Sequence, residues 1–185
     1  MIKEVLDELG ERMQKSVESL QDDLLGIRTG RASPALVERL AVEYYGTATP
    51  LNQMATLAIP ESRLITIQPW DVSVIKDIEK AILKSDLGLT PSNDGKIIRI
   101  AIPPLTEERR KDLVKTIKTM AEETRVRIRA ARRHAMDAAK KMQKDGGLTE
   151  DDLKSAEIQI QKLTDKYCDQ IDKIVEAKQA EIMEL

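Results

Sequence analysis

Residues 106–147 read TEERRKDLVKTIKTMAEETRVRIRAARRHAMDAAKKMQKDGG. Leu113, Ile117, Met120, Thr124, Ile128, Ala131, Ala135, Ala138 and Met142 recur at intervals of three and four, the spacing of one face of an α-helix. Thr106 is placed to cap the start, with Glu107 and Glu108 at the positive end of the dipole. Gly146-Gly147 ends the run. At about 1.5 Å per residue such a helix extends on the order of 55 Å, too long for a compact domain of this mass. Its apolar stripe is narrow and needs partners.

Two partners lie in the sequence. Upstream, Ile2, Leu6, Leu9, Met13, Val17, Leu20, Leu24 and Ile27 form one stripe, which ends in RTGRASP, where Gly30 suits a C-terminal cap and Pro34 bars continuation. Downstream, Thr149 opens a third helix with Leu153, Ile160, Leu163, Tyr167, Ile171, Ile174 and Ile182 facing inward. Three such stripes predict an antiparallel bundle, the last two helices joined by the Gly-Gly turn.

Between the first two helices the texture changes. LAVEYY at 40–45, TLAI at 56–59, LITI at 64–67 and IIRIAI at 97–102 are strand-like, and 72–89 holds a short helix stopped near Gly88. Thr49-Pro50 and Pro60 read as punctuation between strands. The expected fold is α+β, with an elongated bundle formed by residues 1–30 and 105–185 and a small β/α/β domain inserted at 31–104. The two connections, near 29–34 and 102–105, must lie side by side, and the molecule should be a rod with a small domain hung from one end.

Composition narrows the chemistry. Charged residues make up 34% of the chain and hydrophobic ones 41%, which fits a soluble helix-rich protein. No apolar run approaches a membrane span, and MIKEVLDELGERM carries acidic residues within its apolar period, unlike a signal peptide. The single cysteine, Cys168, rules out an internal disulfide and speaks against a cysteine-rich zinc site, so the cytoplasm is the default location. No nucleotide-binding motif occurs, since GIRTGRAS at 26–33 has the wrong glycine spacing. His134, the one histidine, stands among arginines and cannot serve a nucleophilic triad convincingly. No cofactor, metal or small-molecule substrate is expected. An enzyme made only of Asp and Glu stays open, although no pair is singled out.

The charge pattern points elsewhere. Five of thirteen arginines fall within 125–134, in a chain of net charge -2. At about 100° per residue Arg125, Arg129 and Arg132 share a face beside the apolar stripe, with Arg133 just beyond and Arg110 on the same side near the helix start. A solvated, salt-bridged face accounts for Arg127, four residues after Glu123, and partly for Arg125, near Glu122. It does not account for Arg129, whose neighbours at i−4, i+3 and i+4 are all arginines. Phosphate binding explains the cluster better, because the guanidinium fork matches phosphate oxygens. Trp70, Tyr44, Tyr45 and Tyr167 are the only aromatics, so stacking platforms are scarce and structured RNA is the better target. Arg28 and Arg31 flank a glycine turn that can also hold a phosphate. Thr29, Gly30, Arg31, Ala32 and Ser33 on one connection, with Pro103, Pro104 and Leu105 on the other, suit a hinge. Lys140, Lys141, Lys144 and the acidic third helix read as solvated surface, Cys168 and Met183 as structural.

Five stretches carry a resemblance: IRTGRASPALV at 27–37, VEYYGTATPLNQMA at 42–55, KAILKSDLGLTP at 80–91, PPLTEERRKDL at 103–113 and RVRIRAARR at 125–133. In order and length they resemble the bacterial ribosome recycling factor family across the whole chain. The resemblance implies an L-shaped molecule of the dimensions of a transfer RNA. It also implies a role on the post-termination ribosome: the bundle lies on ribosomal RNA of the large subunit, elongation factor G with GTP acts on the factor, and the subunits separate. RNA contacts are implied at Arg110, Arg129 and Arg132, and more weakly at Arg133, Arg28 and Arg31; Arg125 belongs to the same cluster by position. A monomer without enzymatic activity is expected. His134, where the family is expected to carry an acidic residue more often, and Gly146-Gly147 are departures that leave these arginines untouched. Two other classes fit parts of the pattern: a coiled-coil interaction module with an acidic protein partner, and a hydrolase acting through carboxylates.

Overall fold

The computed structural model describes residues 2–27 and 29–184. Four α-helices are present among them: α1 (Ile2–Leu25), α2 (Ile75–Lys84), α3 (Glu107–Lys144) and α4 (Glu150–Met183). The six strands are β1 (Ala41–Tyr44), β2 (Thr47–Pro50), β3 (Ala55–Glu61), β4 (Leu64–Pro69), β5 (Pro91–Asn93) and β6 (Ile98–Ala101). They divide into two compact units, Met1–Leu24 with Arg110–Leu185, and Leu25–Arg109.

The first unit is helical. On α1, Leu9, Met13, Val17, Leu20 and Leu24 are buried at helical spacing. The helix stops at Leu25, just before Gly26, so Gly30 is not its cap as the sequence suggests. Glycine is a poor helix former, and the helix frays there before reaching Gly30. The 38 residues of α3 follow Thr106, whose Oγ1 accepts from the amide of Arg109 at 3.1 Å. At its far end the amide of Gly147 donates to the carbonyl of Met142 (2.8 Å), and Gly146, at φ +85°, donates to Gln143 (3.1 Å). That is a Schellman closure, which needs a residue free to adopt the left-handed conformation. Thr149 then caps α4 in a reciprocal box with Asp152.

Arg125 meets Asp172 and Arg132 meets Gln161 across α3 and α4, so rising numbers on one helix match falling numbers on the other. These two helices are antiparallel. Leu9 of α1 lies against Ala131 and Ala135 of α3, and Leu6 lines a cleft with Leu163 of α4. The buried stripe of α3 takes Ala121 and Ala139 where the sequence suggests Met120, Ala138 and Met142. On α4, Ala156, Thr164 and Val175 occupy places expected for Leu153, Leu163 and Ile174. The expected residues Met120, Ala138, Met142, Leu153, Leu163 and Ile174 are half-buried at the edges of the stripe, and mostly smaller side chains take the seam. The hydroxyls of buried Thr124 and Thr164 donate to the carbonyls of Met120 and Ile160, at 3.0 and 2.9 Å.

The second unit has a two-stranded ribbon, β1–β2, and a four-stranded antiparallel sheet in the order β3-β4-β6-β5. Ile65, Ile67, Ile98 and Ile100 alternate inward from β4 and β6 and meet Ile75, Ile78 and Ile82 of α2 in one core. The sequence reading lacks β2 and β5. Both contain proline, but at strand ends: Pro50 pairs opposite Ala41, and Pro91 opposite Ile100. Pro60 stands inside β3, where the register against β4 shifts between Ala58 and Glu61. The expected helix over 72–89 is shorter, with a 3-10 turn at Val72–Val74 capped by Asp71 before α2. Both connecting segments are tied to the β3–β4 turn: the amide of Ala32 donates to the carbonyl of Ser62, and that of Ile102 to Arg63, each at 2.7 Å.

Candidate nucleic-acid interface

The apolar stripe of α3 faces the bundle, so the residues beside it fall along its seam with α4. Arg125 is partly buried there and reaches across the helices, its Nη2 2.6 Å from Oδ1 of Asp172 and its Nη1 3.7 Å from Oε2 of Glu122. Arg129 also finds Glu122, at 2.6 Å from Nη2 to Oε1. The sequence left Arg129 without an acidic neighbour. Two helical turns separate it from Glu122, and the long side chains close that gap. Hydrogen bonding from Arg129, then the charges of Arg129 and Arg125, hold the Glu122 carboxyl below its ordinary range. The ion pair expected between Arg127 and Glu123 is not formed among the described residues; Arg127 points about 200° away from Arg125 around the helix.

Arg132 is held differently. Its Nε donates to Oε1 of Gln161 at 2.9 Å, and the Gln161 amide donates in turn to Oδ1 of Asp165 at 2.8 Å. Arg133 is exposed and, like Lys140, makes no ion pair among the described residues. Arg129, Arg132, Arg133 and Lys140 line a groove between α3 and α4, with Met136, Thr164 and Cys168 also on its walls. Asp137, Glu157 and Asp165 line it too. Burial, then the Asp172 charge, raise the pKa of the Cys168 thiol above its ordinary value.

The cluster therefore assembles Arg125, Arg129, Arg132 and Arg133 in one place. Arg110 shares the helix, 15 residues from Arg125, or about 22 Å along the axis. Arg31 is exposed in the second unit, and Arg28 lies outside the described residues. Thr29, Gly30, Arg31, Ala32, Ser33, Pro103, Pro104 and Leu105 all belong to the second unit. There Gly30, at φ +81°, brings its Cα so close to Leu105 that a Cβ would stand 3.2 Å from Leu105 Cγ. Gln161, Asp165 and Asp172 escape a reading by near neighbours, because they come from another helix; Glu122 is read beside Arg125, but its bond to Arg129, seven residues on, is missed. Lys140, expected as plain surface, belongs to the groove.

Tyr167 is buried, and the other aromatic residues, Tyr44, Tyr45 and Trp70, lie in the second unit. The groove thus offers guanidinium and ammonium groups without a stacking ring, an arrangement suited to a phosphate backbone and not to splayed bases.

A sequence model of the ribosome recycling factor family matches residues 20–183. The chain belongs to the ribosome recycling factor family. It is 60% identical over 185 residues to the ribosome-recycling factor of Halalkalibacterium halodurans, covering all of both chains. It is 55% identical over 184 residues to that of Treponema denticola, again covering all of both. A solution structure of the ribosome recycling factor matches with a TM-score of 0.85 at 44% identity, over 100% of this chain and 98% of that one. A second match has a TM-score of 0.69 at 52% identity and covers 99% of each chain. It comes from models for the T. thermophilus ribosome recycling factor and the E. coli elongation factor G bound to the E. coli post-termination complex. The family match runs from the end of α1 through α4 and so includes the whole arginine face.

Proposed function

We propose that this chain recycles ribosomes after termination. It binds the large subunit of the post-termination complex and, with elongation factor G and GTP, promotes separation of the subunits and release of ribosomes from messenger RNA. The observation that carries the reading is a cationic groove on the bundle of a chain whose relative is described in a post-termination complex. Members of this family are translation factors and not enzymes; the factor acts by binding, and the partner GTPase supplies the energy. The site of action is the cytoplasm, where ribosomes are.

The arginine face is the proposed contact with ribosomal RNA. Arg132 and Arg133 present their charge directly, Arg129 after exchanging Glu122 for a phosphate, and Arg110 further along α3. Arg125 serves the α3–α4 seam first. Arg28 and Arg31 are kept as secondary contacts. Replacing Arg132 by Ala should weaken large-subunit binding more than replacing Lys154, which is exposed on α4. Equal losses for the two variants would contradict the assignment.

Thr29–Ser33 and Pro103–Leu105 are proposed as the hinge of the factor. The bonds from Ala32 and Ile102 to the β3–β4 turn fix the inner ends of both segments, so dihedral changes fall outside them. Gly30→Ala should leave large-subunit binding unchanged and slow subunit separation; an unaltered rate counts against the hinge. The reading as a whole is tested by light scattering of post-termination ribosomes mixed with this protein, elongation factor G and GTP. A fall in scattering that needs all three is expected, and no fall beyond controls would overturn it.

A further inference from the structure

The arginine face divides into two halves with different electrostatics. Around Arg125 and Arg129, Glu122 and Asp172 supply one carboxylate for each guanidinium. Around Arg132 the facing residue is neutral. This is unexpected on α4, where Glu157, Asp165, Asp169 and Asp172 crowd the same stretch. We propose that Gln161 is a positioning residue for RNA binding: it aims Arg132 at a phosphate while keeping it out of an ion pair. The proposal rests on the reading that Arg132 contacts ribosomal RNA.

The geometry specifies how. Gln161 has one acceptor and one donor end, and both are used. Its oxygen receives Nε of Arg132 at 2.9 Å, and its nitrogen donates to Asp165 at 2.8 Å. Asp165 accepts and cannot donate when ionised, so it fixes which way the amide points. A flipped amide would turn N–H against N–H at Arg132 and oxygen against carboxylate at Asp165. The amide thereby stands between Asp165 and the guanidinium, which are not in direct contact.

Arg132 is left with Nε occupied and with Nη1 and Nη2 unbonded among the described residues. Those two nitrogens form the end-on edge of the fork, which donates two parallel hydrogen bonds to a phosphate or carboxylate. Arg133 and Lys140 line the same groove and add charge beside it. Glutamate at 161 would hold Nε in an ion pair across the helices, but it would lose the hydrogen bond to Asp165 and set a second carboxylate against it. It would also cancel the charge that a phosphate has to meet.

The test is large-subunit binding across a salt titration, with the intact protein as Arg132→Ala, Gln161→Glu, Gln161→Leu and the double variant Arg132→Ala/Gln161→Glu. Loss of one phosphate contact lowers the slope of log K against log salt by about 0.7–0.9. Arg132→Ala and Gln161→Glu should each lower it by that amount, and the double variant no further, because both act on one contact. Gln161→Leu keeps the charge but frees the side chain, so the slope should hold while affinity falls about 2- to 12-fold at every salt concentration, the worth of one hydrogen bond. A purely structural role for Gln161 would change the thermal midpoint and leave the salt slope as it is. If Arg132→Ala leaves the slope unchanged, the assignment of the arginine face fails. If Arg132→Ala lowers the slope and Gln161→Glu does not, Gln161 has no such role, and the arginine assignment stands.

Discussion

Gly30 allows a prediction whose size follows from local geometry. Its φ of +81° lies in the left-handed region, where an L side chain costs about 1–2 kcal/mol. Alanine also restricts the unfolded chain, which returns about 0.4–1 kcal/mol. Gly46 has the same φ of +81° and open space where its Cβ would stand, so Gly46→Ala should cost only the difference, roughly 0.5–1 kcal/mol. At Gly30 the added carbon also meets Leu105, 3.2 Å from Cγ and 3.3 Å from the backbone nitrogen. The leucine side chain can turn aside, but the nitrogen moves only with the Pro103–Leu105 segment. That crowding adds about 1–2 kcal/mol, for a total near 1.5–3 kcal/mol. Trp70, the one tryptophan, lies in the second unit, and its fluorescence in a urea titration reports that unit alone. At a slope of about 1.5–2 kcal/mol per molar, the Gly30→Ala midpoint should fall below that of Gly46→Ala by roughly 0.5–1 M. Equal midpoints, or a lower one for Gly46→Ala, would refute the close approach of the two connecting segments.

Three further outcomes follow from the same coordinates. Gly10 sits inside α1 with no atom within 4 Å of its absent Cβ, so Gly10→Ala should stabilise the bundle by about 0.5–1 kcal/mol; a lower thermal midpoint by circular dichroism would contradict the open environment. Glu122→Gln should raise large-subunit affinity, because Arg129 then reaches its phosphate without breaking an ion pair, and an unchanged affinity would remove Arg129 from the contact set. Asp94 accepts from Arg99, Ile97 and Lys96, which lowers its pKa below the ordinary 3.8; it therefore stabilises the second unit above that pH, and the contribution fades as pH falls toward its folded value. Asp94→Asn should be less stable than wild type at pH 7, with the gap closing below pH 3.8 in Trp70-monitored titrations; a gap that widens with acid would reverse the sign.

Helix existence was legible in the sequence, and helix caps nearly so, because both are local. Thr106, Thr149 and Gly146 each act within four residues of the groups they satisfy. The misses have three physical origins. Proline forbids a donor but not a strand end, so Pro50 hid β2 from a reading that treats it as a breaker, and β5, three residues beginning at Pro91, is too short to show an alternation. Gly30 was expected as a cap because the stripe continues to Ile27, yet Gly26 stops the helix first. Of the candidate site, the arginine face was legible from periodicity alone. Its partners were not: Asp172 and Gln161 are 47 and 29 residues away along the chain and arrive only once α4 folds back.

That distance changes what the cluster means. Counted along the sequence, 125–133 is five positive charges with repulsion throughout, a segment that would coat any polyanion. Folded, Arg125 and Arg129 meet carboxylates, and Arg127 points away from the groove. The groove-facing cations that make no ion pair come down to Arg132 and Arg133, with Lys140 about two turns on, beside the carboxylates of Asp137, Glu157 and Asp165. A small, fixed group of cations on a chain of net charge -2 has little pull on polyanions at long range. It gains strength only where phosphates sit at matching positions. On the proposed RNA contact, Glu122 and Asp172 would serve binding selectivity, since they remove charge that would act without regard to geometry and leave the charge that geometry controls.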